Sequence, residues 1–250
     1  MDTGTTPGEF WARILGRTRD AEAAISGASA MRDYLLSQSW SRWLPGVLEC
    51  LPRGHTFDTT VYLNLGYDNV AYGVDVALNL NHPSFHADPR EAVYYLMHEL
   101  AHAGYLTYNK MPDLTVPRTW GELSGNVMSL THLEGMGVLT PLRLRMAEGR
   151  LGDPDYAALG DPTEKGGRVL AYFEKLGRLE QEPKREVVEG DLDVYDQFSG
   201  KTQRLWYIAG CHMAQVIEAE RGREILRELV RRGSGAFFEV YRGIRDPARD

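Results

Sequence analysis

The hydrophobic and polar positions of this chain follow a helical period most clearly between residues 88 and 104. Apolar side chains recur there at spacings of three and four: Val93, Leu96, Met97, Leu100 and Ala101. Such spacing predicts one buried stripe on an amphipathic helix. Asp88 suits the N-cap of this helix, Pro89 its first position, and Glu91 the third position of a capping box.

The same patterns divide most of the remaining chain into helices and two strands. Helical spacing predicts helices within residues 9–50, 120–139, 165–179, 202–221 and 226–241. Alternation of apolar and polar residues, rich in β-formers, predicts strands at 59–65 and 74–80. The stretch 66–73 between the strands suits a turn or a longer hairpin loop.

Composition and charge exclude several classes of protein. The 250 residues suffice for one large domain, which we expect to span 1–250 with lobes at about 1–109 and 110–250. A net charge of −7, without a basic block, argues against nucleic acid and anionic membranes as partners. No apolar run is long enough to span a membrane, and residues 1–7 do not resemble a signal peptide. Two unpaired cysteines suit a cytoplasmic protein.

The predicted helix at 88–104 carries the main chemical signal. His98 and His102 lie one turn apart, so their Cβ atoms are roughly 6 Å apart on one face. One Zn²⁺ can bridge that span, because Zn–N bonds are about 2.0–2.1 Å long. Glu99, between them, can accept a proton from a water beside the metal. This His-Glu-x-x-His pattern is that of zinc metallopeptidases; the alternative is two half-exposed histidines without a ligand role.

A catalytic zinc normally has three protein ligands and a water, so a third ligand is required. Glu134 is favoured, because it follows a helical apolar run and its neighbouring glycines permit close packing against the first helix. Glu122 is the second candidate, and Asp113 a third. His82 and His86 also lie four residues apart, but Pro83 disfavours a helix there, so we expect solvated loop histidines.

The motif and the downstream glutamates resemble the gluzincin branch of zinc metallopeptidases. Leu133-Glu134-Gly135-Met136-Gly137 is similar to the Asn-Glu-Gly-aromatic-Ala signature of aminopeptidase members. Glu122-Leu123-Ser124-Gly125-Asn126 resembles the Glu-x-x-x-Asp pattern of thermolysin-type members, with Asn in the last place. The resemblance covers about residues 56–140. The third histidine of metzincins is absent.

The resemblance implies a zincin-like α+β fold, mostly helical, with a small sheet packed on the metal helix and a helical C-terminal lobe. It also implies an oxyanion donor from that lobe, for which His212 and Tyr207 are the candidates. Their separation of about 140° around a helix prevents both from facing one site. Of the two, His212 is preferred over Tyr207 as the donor, although the favoured interpretation of His212 itself is a core histidine bound to a backbone carbonyl.

The predicted function is zinc-dependent hydrolysis of a peptide or protein substrate, with Glu99 as general base. An exposed strand edge near the zinc would hold an extended peptide through main-chain hydrogen bonds; the alternative is that both strands lie in the core of the sheet. A zinc-binding scaffold without activity and a hydrolase of non-peptide amides are the alternatives. Retention of Glu99 argues against the scaffold, since a structural zinc has no use for a base.

Overall fold

A computed structural model describes residues 21–66, 68–115, 117–199 and 203–245; residues 9–20 of the predicted first helical segment lie outside them. The α-helices in this part of the chain are α1 (Ala21–Ser37), α2 (Trp40–Leu48), α3 (Pro83–Ala87), α4 (Arg90–Leu106), α5 (Trp120–Glu148), α6 (Pro154–Gly160), α7 (Pro162–Gln181), α8 (Val194–Ser199), α9 (Leu205–Arg221) and α10 (Arg223–Arg245). A 3₁₀ helix, Glu189–Asp193, precedes α8. Together with one small sheet, these helices make an α+β protein that is mostly helical.

The sheet has three strands: β1 (Val61–Asn64), β2 (Val70–Tyr72) and β3 (Asp75–Asn79). Their order is β1-β3-β2, with β1 parallel and β2 antiparallel to β3. The prediction of a loop throughout 66–73 is therefore wrong, because β2 lies within it. Since β1 and β3 run in the same direction, the two predicted strands do not form a hairpin with each other. β2 lies at an edge of the sheet and packs against α4.

Helices α4 and α5 pack antiparallel, and this register sets the position of every candidate ligand. At one end, the Arg145 guanidinium donates to Glu91 through Nη1 at 2.8 Å and Nη2 at 2.5 Å. At the other end, Tyr105 Oη lies 3.0 Å from His132 Nδ1. The N-cap of α4 is Pro89 rather than the predicted Asp88, whose carboxylate accepts from the backbone N–H of Arg90 at 3.0 Å.

The ion pair between Arg145 and Glu91 that joins these two helices is buried. Arg145 is 1% exposed, and its guanidinium lies 4.1 Å from the ring centroids of both Tyr94 and Tyr156. We expect Glu91→Gln to leave that guanidinium uncompensated and lower the free energy of unfolding by about 3–5 kcal/mol. Glu49→Gln, which removes a half-exposed ion-pair partner, should cost less than about 1 kcal/mol. Urea denaturation of both variants measures the difference, and equal effects would contradict the assignment.

Helix α9 crosses α5 at a contact between two glycines. A Cβ on Gly210 would lie 2.1 Å from the carbonyl oxygen of Thr131, and one on Gly135 would lie 2.3 Å from the Gly210 carbonyl carbon. A glycine inside a helix costs about 1 kcal/mol relative to alanine. The close contact of the two backbones offsets this cost, and it brings the start of α9 beside Glu134 on α5.

One further prediction about the helix boundaries is wrong, and another is confirmed. His82 and Pro83 lie at the N-cap and first position of α3, so the prediction that His82 and His86 lie in a loop is wrong. Proline suits that position because its missing N–H would be unpaired there anyway. The predicted break at 233–235 is confirmed, since Gly233 has φ 81° inside α10. None of the helices described here is long and apolar enough to cross a membrane.

Candidate metal centre

Three side chains from α4 and α5 converge on one point. His98 and His102 project from the same face of α4, with ring centroids 4.4 Å apart. Glu134 faces them from α5, and its Oε2 lies 3.3 Å from the Nε2 atom of each imidazole. The three ligand atoms lie within 4.8 Å of one another. In the part of the chain that the structure describes, this is the one group of metal-ligating side chains with such spacing.

The geometry and chemistry of this group fit a zinc ion. Ligands bound at about 2.0–2.1 Å in a tetrahedral arrangement are about 3.3 Å apart, which matches both nitrogen–oxygen distances. His102 Nε2 and Glu134 Oε2 are buried, yet neither forms a hydrogen bond with a described residue. Buried polar atoms without hydrogen-bond partners are costly, and a bound cation would satisfy both of them. Two imidazole nitrogens and one carboxylate oxygen are also the donor set of open, catalytic zinc sites.

Gly137, one turn beyond Glu134, closes the helix–helix contact at this point. A Cβ at this position would lie 2.5 Å from His102 Nε2 and 2.9 Å from His98 Nε2. Any larger side chain would therefore enter the space between the ligand atoms. The expectation that glycines bring Glu134 close to α4 holds for Gly137, whereas Gly135 faces α9 instead.

Glu99 lies beside the three ligands without joining them. Its carboxylate is buried, with Oε2 3.5 Å from Nδ1 of His102, the nitrogen that faces away from Glu134. A partner at Nδ1 fixes the orientation of a ligating imidazole and raises its basicity. Glu99 also lines the same cavity as the ligands, so its carboxylate is accessible to a substrate or a water.

The electrostatics of the group favour an ionised carboxylate. Burial alone would raise the pKa of Glu134, but His102 and His98 outweigh it and hold that pKa well below its usual range. Burial would likewise lower the pKa of His102, but the carboxylates of Glu134 and Glu99 raise it to about 10. Glu134 is therefore held in its ionised form beside the two imidazoles, where its negative charge attracts a proton or a metal cation.

A cavity of about 710 Å³ opens onto this group and runs along α4. Its α4 wall is a stripe at helical spacing: Tyr94, Tyr95, His98, Glu99, His102 and Leu106. Residues 68–73, which comprise strand β2 and its flanking residues, form another wall. Because α5 runs antiparallel to α4, Leu133 lies towards the Leu106 end and Arg145 towards the Tyr94 end. The candidate ligands lie between these two ends.

Tyr207 reaches the cavity from α9, where Arg204 accompanies it. The Arg204 guanidinium lies 3.5 Å from the centroid of the Tyr207 ring. It also donates to the buried Asp155 through Nε at 2.8 Å and Nη2 at 2.7 Å, which fixes its orientation. Burial, and then the charge of Glu134, raise the pKa of Tyr207, so its hydroxyl stays protonated and can donate a hydrogen bond.

His212, the preferred oxyanion donor from the sequence, does not line this cavity. Its ring packs against Tyr241 with centroids 6.2 Å apart, and its Nε2 lies 3.5 Å from Arg245 Nη2. His212 therefore does not share the cavity with the candidate ligands: it lies five positions after Tyr207 on α9, and that angle turns it towards α10.

The two rival third ligands also lie elsewhere. Glu122 is exposed at the start of α5, where it accepts from the backbone N–H of Arg118 at 2.6 Å. Its 12-residue separation from Glu134 corresponds to about 18 Å along the helix. Asp113 is exposed and accepts from Thr115. His82 lines the cavity without joining the ligand group, and His86 contacts Asn81 outside it.

Several residues of the cavity were not identified from the sequence. Arg204 precedes α9 as its N-cap, with a left-handed backbone (φ 49°), so helical spacing does not relate it to Tyr207, and its pairing with Asp155 has no local signal. Asp153 precedes a proline at the start of α6 and reads from sequence only as an N-cap.

Comparison with known proteins does not add a family to this geometry. No protein-family model, curated protein or solved structure matches the chain.

Proposed function

We propose that the protein is a zinc-dependent hydrolase, and most specifically a peptidase of the gluzincin kind with a zincin-like fold. The convergence of His98, His102 and Glu134 on one point, with two buried atoms lacking hydrogen-bond partners, carries this proposal. The three residues would hold the ion and leave its remaining position open to the cavity. A zinc ion there would supply a Lewis acid that polarises the scissile carbonyl and lowers the pKa of a water.

Glu99 is the general base in this proposal. It is buried beside the ligand group and has no cationic partner among the described residues other than the His102 imidazole. It would take a proton from the attacking water and deliver it to the leaving amine. Its contact with His102 Nδ1 gives it a second role, since it orients one ligand while remaining near the reacting atoms.

Tyr207 and Arg204 are the groups placed to stabilise negative charge on the substrate oxygen. Both line the cavity from the start of α9, and the Gly135–Gly210 contact positions this helix end close to Glu134. Each is a hydrogen-bond donor, and the Asp155 pairing preorganises Arg204. Preorganised donors of this type typically contribute a few kcal/mol to catalysis.

The edge strand β2 favours a peptide over a non-peptide amide as substrate. It pairs with β3 on one side, and it lines the cavity beside the ligand group. An extended peptide can pair with such an edge through main-chain hydrogen bonds, which a small amide cannot do. This arrangement gives affinity along the backbone and leaves specificity to the ends of the cavity.

The proposal is tested by a matched pair of glutamates on α5. We expect the wild-type protein and Glu122→Gln to bind one zinc per chain and to cleave members of a random peptide mixture. Glu134→Gln should lose both properties, because an amide is a poor zinc ligand. Elemental analysis measures the metal, and mass spectrometry detects the new peptide termini. Loss of zinc in Glu122→Gln alone, or no stoichiometric zinc in the wild type, would overturn the proposal.

A further inference from the structure

The two ends of the cavity differ in chemistry. The end towards the C-terminus of α4 is apolar and is formed by Leu106, Met111 and Leu133. The opposite end holds His82, Tyr95 and Asp153. Tyr95 lies three residues before His98 on α4, which corresponds to about 4.5 Å along the helix axis. The carboxylate of Asp153 is close enough to Tyr95 to add to the burial that raises the Tyr95 pKa to about 12.

The cationic side chains that line the cavity are already neutralised. Among the described residues these are Arg145 and Arg204, and each is paired with its own carboxylate, Glu91 and Asp155 respectively. No lysine in the described part of the chain lines the cavity. The cavity therefore offers a substrate no arginine or lysine that lacks a carboxylate partner.

Two carboxylates, by contrast, remain without a partner of opposite charge. Glu99 and Glu134 belong to the metal group, but Asp68 and Asp153 form no salt bridge with a described residue. Asp153 is partly buried at the end of the cavity, where its Oδ1 accepts one hydrogen bond from the backbone N–H of Asp155 at 3.0 Å. Burial, and then the charge of Asp155, raise its pKa, whereas the Arg145 guanidinium lowers it in part without forming an ion pair with it.

The side chains around Asp153 suit an organic cation rather than a metal ion. Asp68 and Asp153 each act electrostatically on His82, but the three side chains do not converge tightly enough to form a metal-ligand group. An ammonium or a guanidinium needs no such convergence, because one carboxylate and an aromatic wall suffice to bind it. Tyr95 and His82, with ring centroids 5.0 Å apart, provide that wall beside Asp153.

We propose that the Asp153 end of the cavity binds a positively charged group of the substrate, within one or two residues of the bond that is hydrolysed. The inference rests on the proposed hydrolase function, and it names the substrate class: peptides that carry an ammonium or a guanidinium on one side of the cleavage site. The apolar Leu106 end accommodates a hydrophobic residue on the other side. The cation is either a Lys or Arg side chain or the free amino terminus.

The experiment uses the zinc-loaded full chain carrying Glu99→Gln, which should bind peptides without cleaving them. Eight-residue peptides are compared by calorimetry, with Lys or norleucine at each position in turn and with a free or acetylated amino terminus. We expect the cationic member of one pair to bind on the order of tenfold more tightly, as for hydrogen bonds to charged groups. A Lys-specific gain identifies a side chain, and a loss on acetylation identifies the amino terminus.

Asp153→Asn in the same background should remove most of that difference, and it keeps the helix cap because Asn is also a good N-cap. Asp68→Asn, at an exposed position, should reduce it less, and Glu122→Gln should leave it unchanged. Equal affinity for charged and neutral peptides would overturn the inference while leaving the zinc hydrolase intact. If no peptide binds and the wild-type protein cleaves none, both the inference and the proposed function are wrong.

Discussion

Glu99→Gln should bind zinc as the wild-type protein does and should hydrolyse peptides about 100- to 10,000-fold more slowly, the range attributed to general acid–base groups. Glutamine is nearly isosteric with glutamate but cannot accept the proton. Its amide oxygen can still accept from His102 Nδ1, so the orientation of that ligand should be kept. Zinc content and turnover on the same preparation measure the two properties separately.

Glu99→Ala is the matched comparison, because it removes both the base and the partner of His102 Nδ1. We expect zinc affinity about 10- to 100-fold lower in Glu99→Ala, the usual effect of removing a group that orients a metal ligand. Wild-type turnover in a zinc-loaded Glu99→Gln protein would show that another group takes the proton. Equal zinc affinity in both variants would show that Glu99 does not orient His102.

Gly137→Ala should abolish stoichiometric zinc binding while the protein remains folded. The added methyl carbon would lie 2.5 Å from His102 Nε2 and 2.8 Å from His98 Cε1, so the imidazoles must move out of the ligand geometry. The atoms that it meets belong to side chains, which can shift without unfolding α4 or α5. Zinc titration with a competing chelator, together with circular dichroism, measures the expected loss.

Gly125→Ala is the control on the same helix, because a Cβ there meets no atom within 4 Å. It should bind zinc normally and should gain up to about 1 kcal/mol of stability from the higher helix propensity of alanine. If Gly137→Ala binds zinc as tightly as Gly125→Ala, the metal does not lie between His98, His102 and Glu134.

The local features of the fold were accessible from sequence because they depend on neighbouring residues. The period of the apolar positions predicted helix α4 and the common face of His98 and His102. Alternation predicted the two longer strands, and the glycines at 233–235 predicted the interruption of α10. Strand β2 was missed because its three residues, in the stretch between Gly66 and Gly73, are too few for an alternating pattern to distinguish a strand from a turn.

The long-range pairings were not accessible in the same way. Glu91 was predicted to complete a capping box, but it lies buried against Arg145, 54 residues away. Gly135 and Gly137 lie two positions apart on α5 and contact different helices, because two positions correspond to about 200° around the helix. A helical glycine shows in sequence that something packs closely, but it does not show which element does.

The sequence by itself determined that His98 and His102 share one face of a helix with Glu99 next to them, because helix geometry is fixed, and it predicted a metal site there that needs a third ligand. Only the tertiary structure decided that Glu134 rather than Glu122 faces them, since that depends on the antiparallel register of α4 and α5. The same holds for Tyr207 over His212, which the contact of Gly210 with Gly135 and the packing of α10 decide. The absence of an ion pair at Asp153 among the described residues is also decided by the tertiary structure, because Arg145 and Arg204 pair with Glu91 and Asp155 instead.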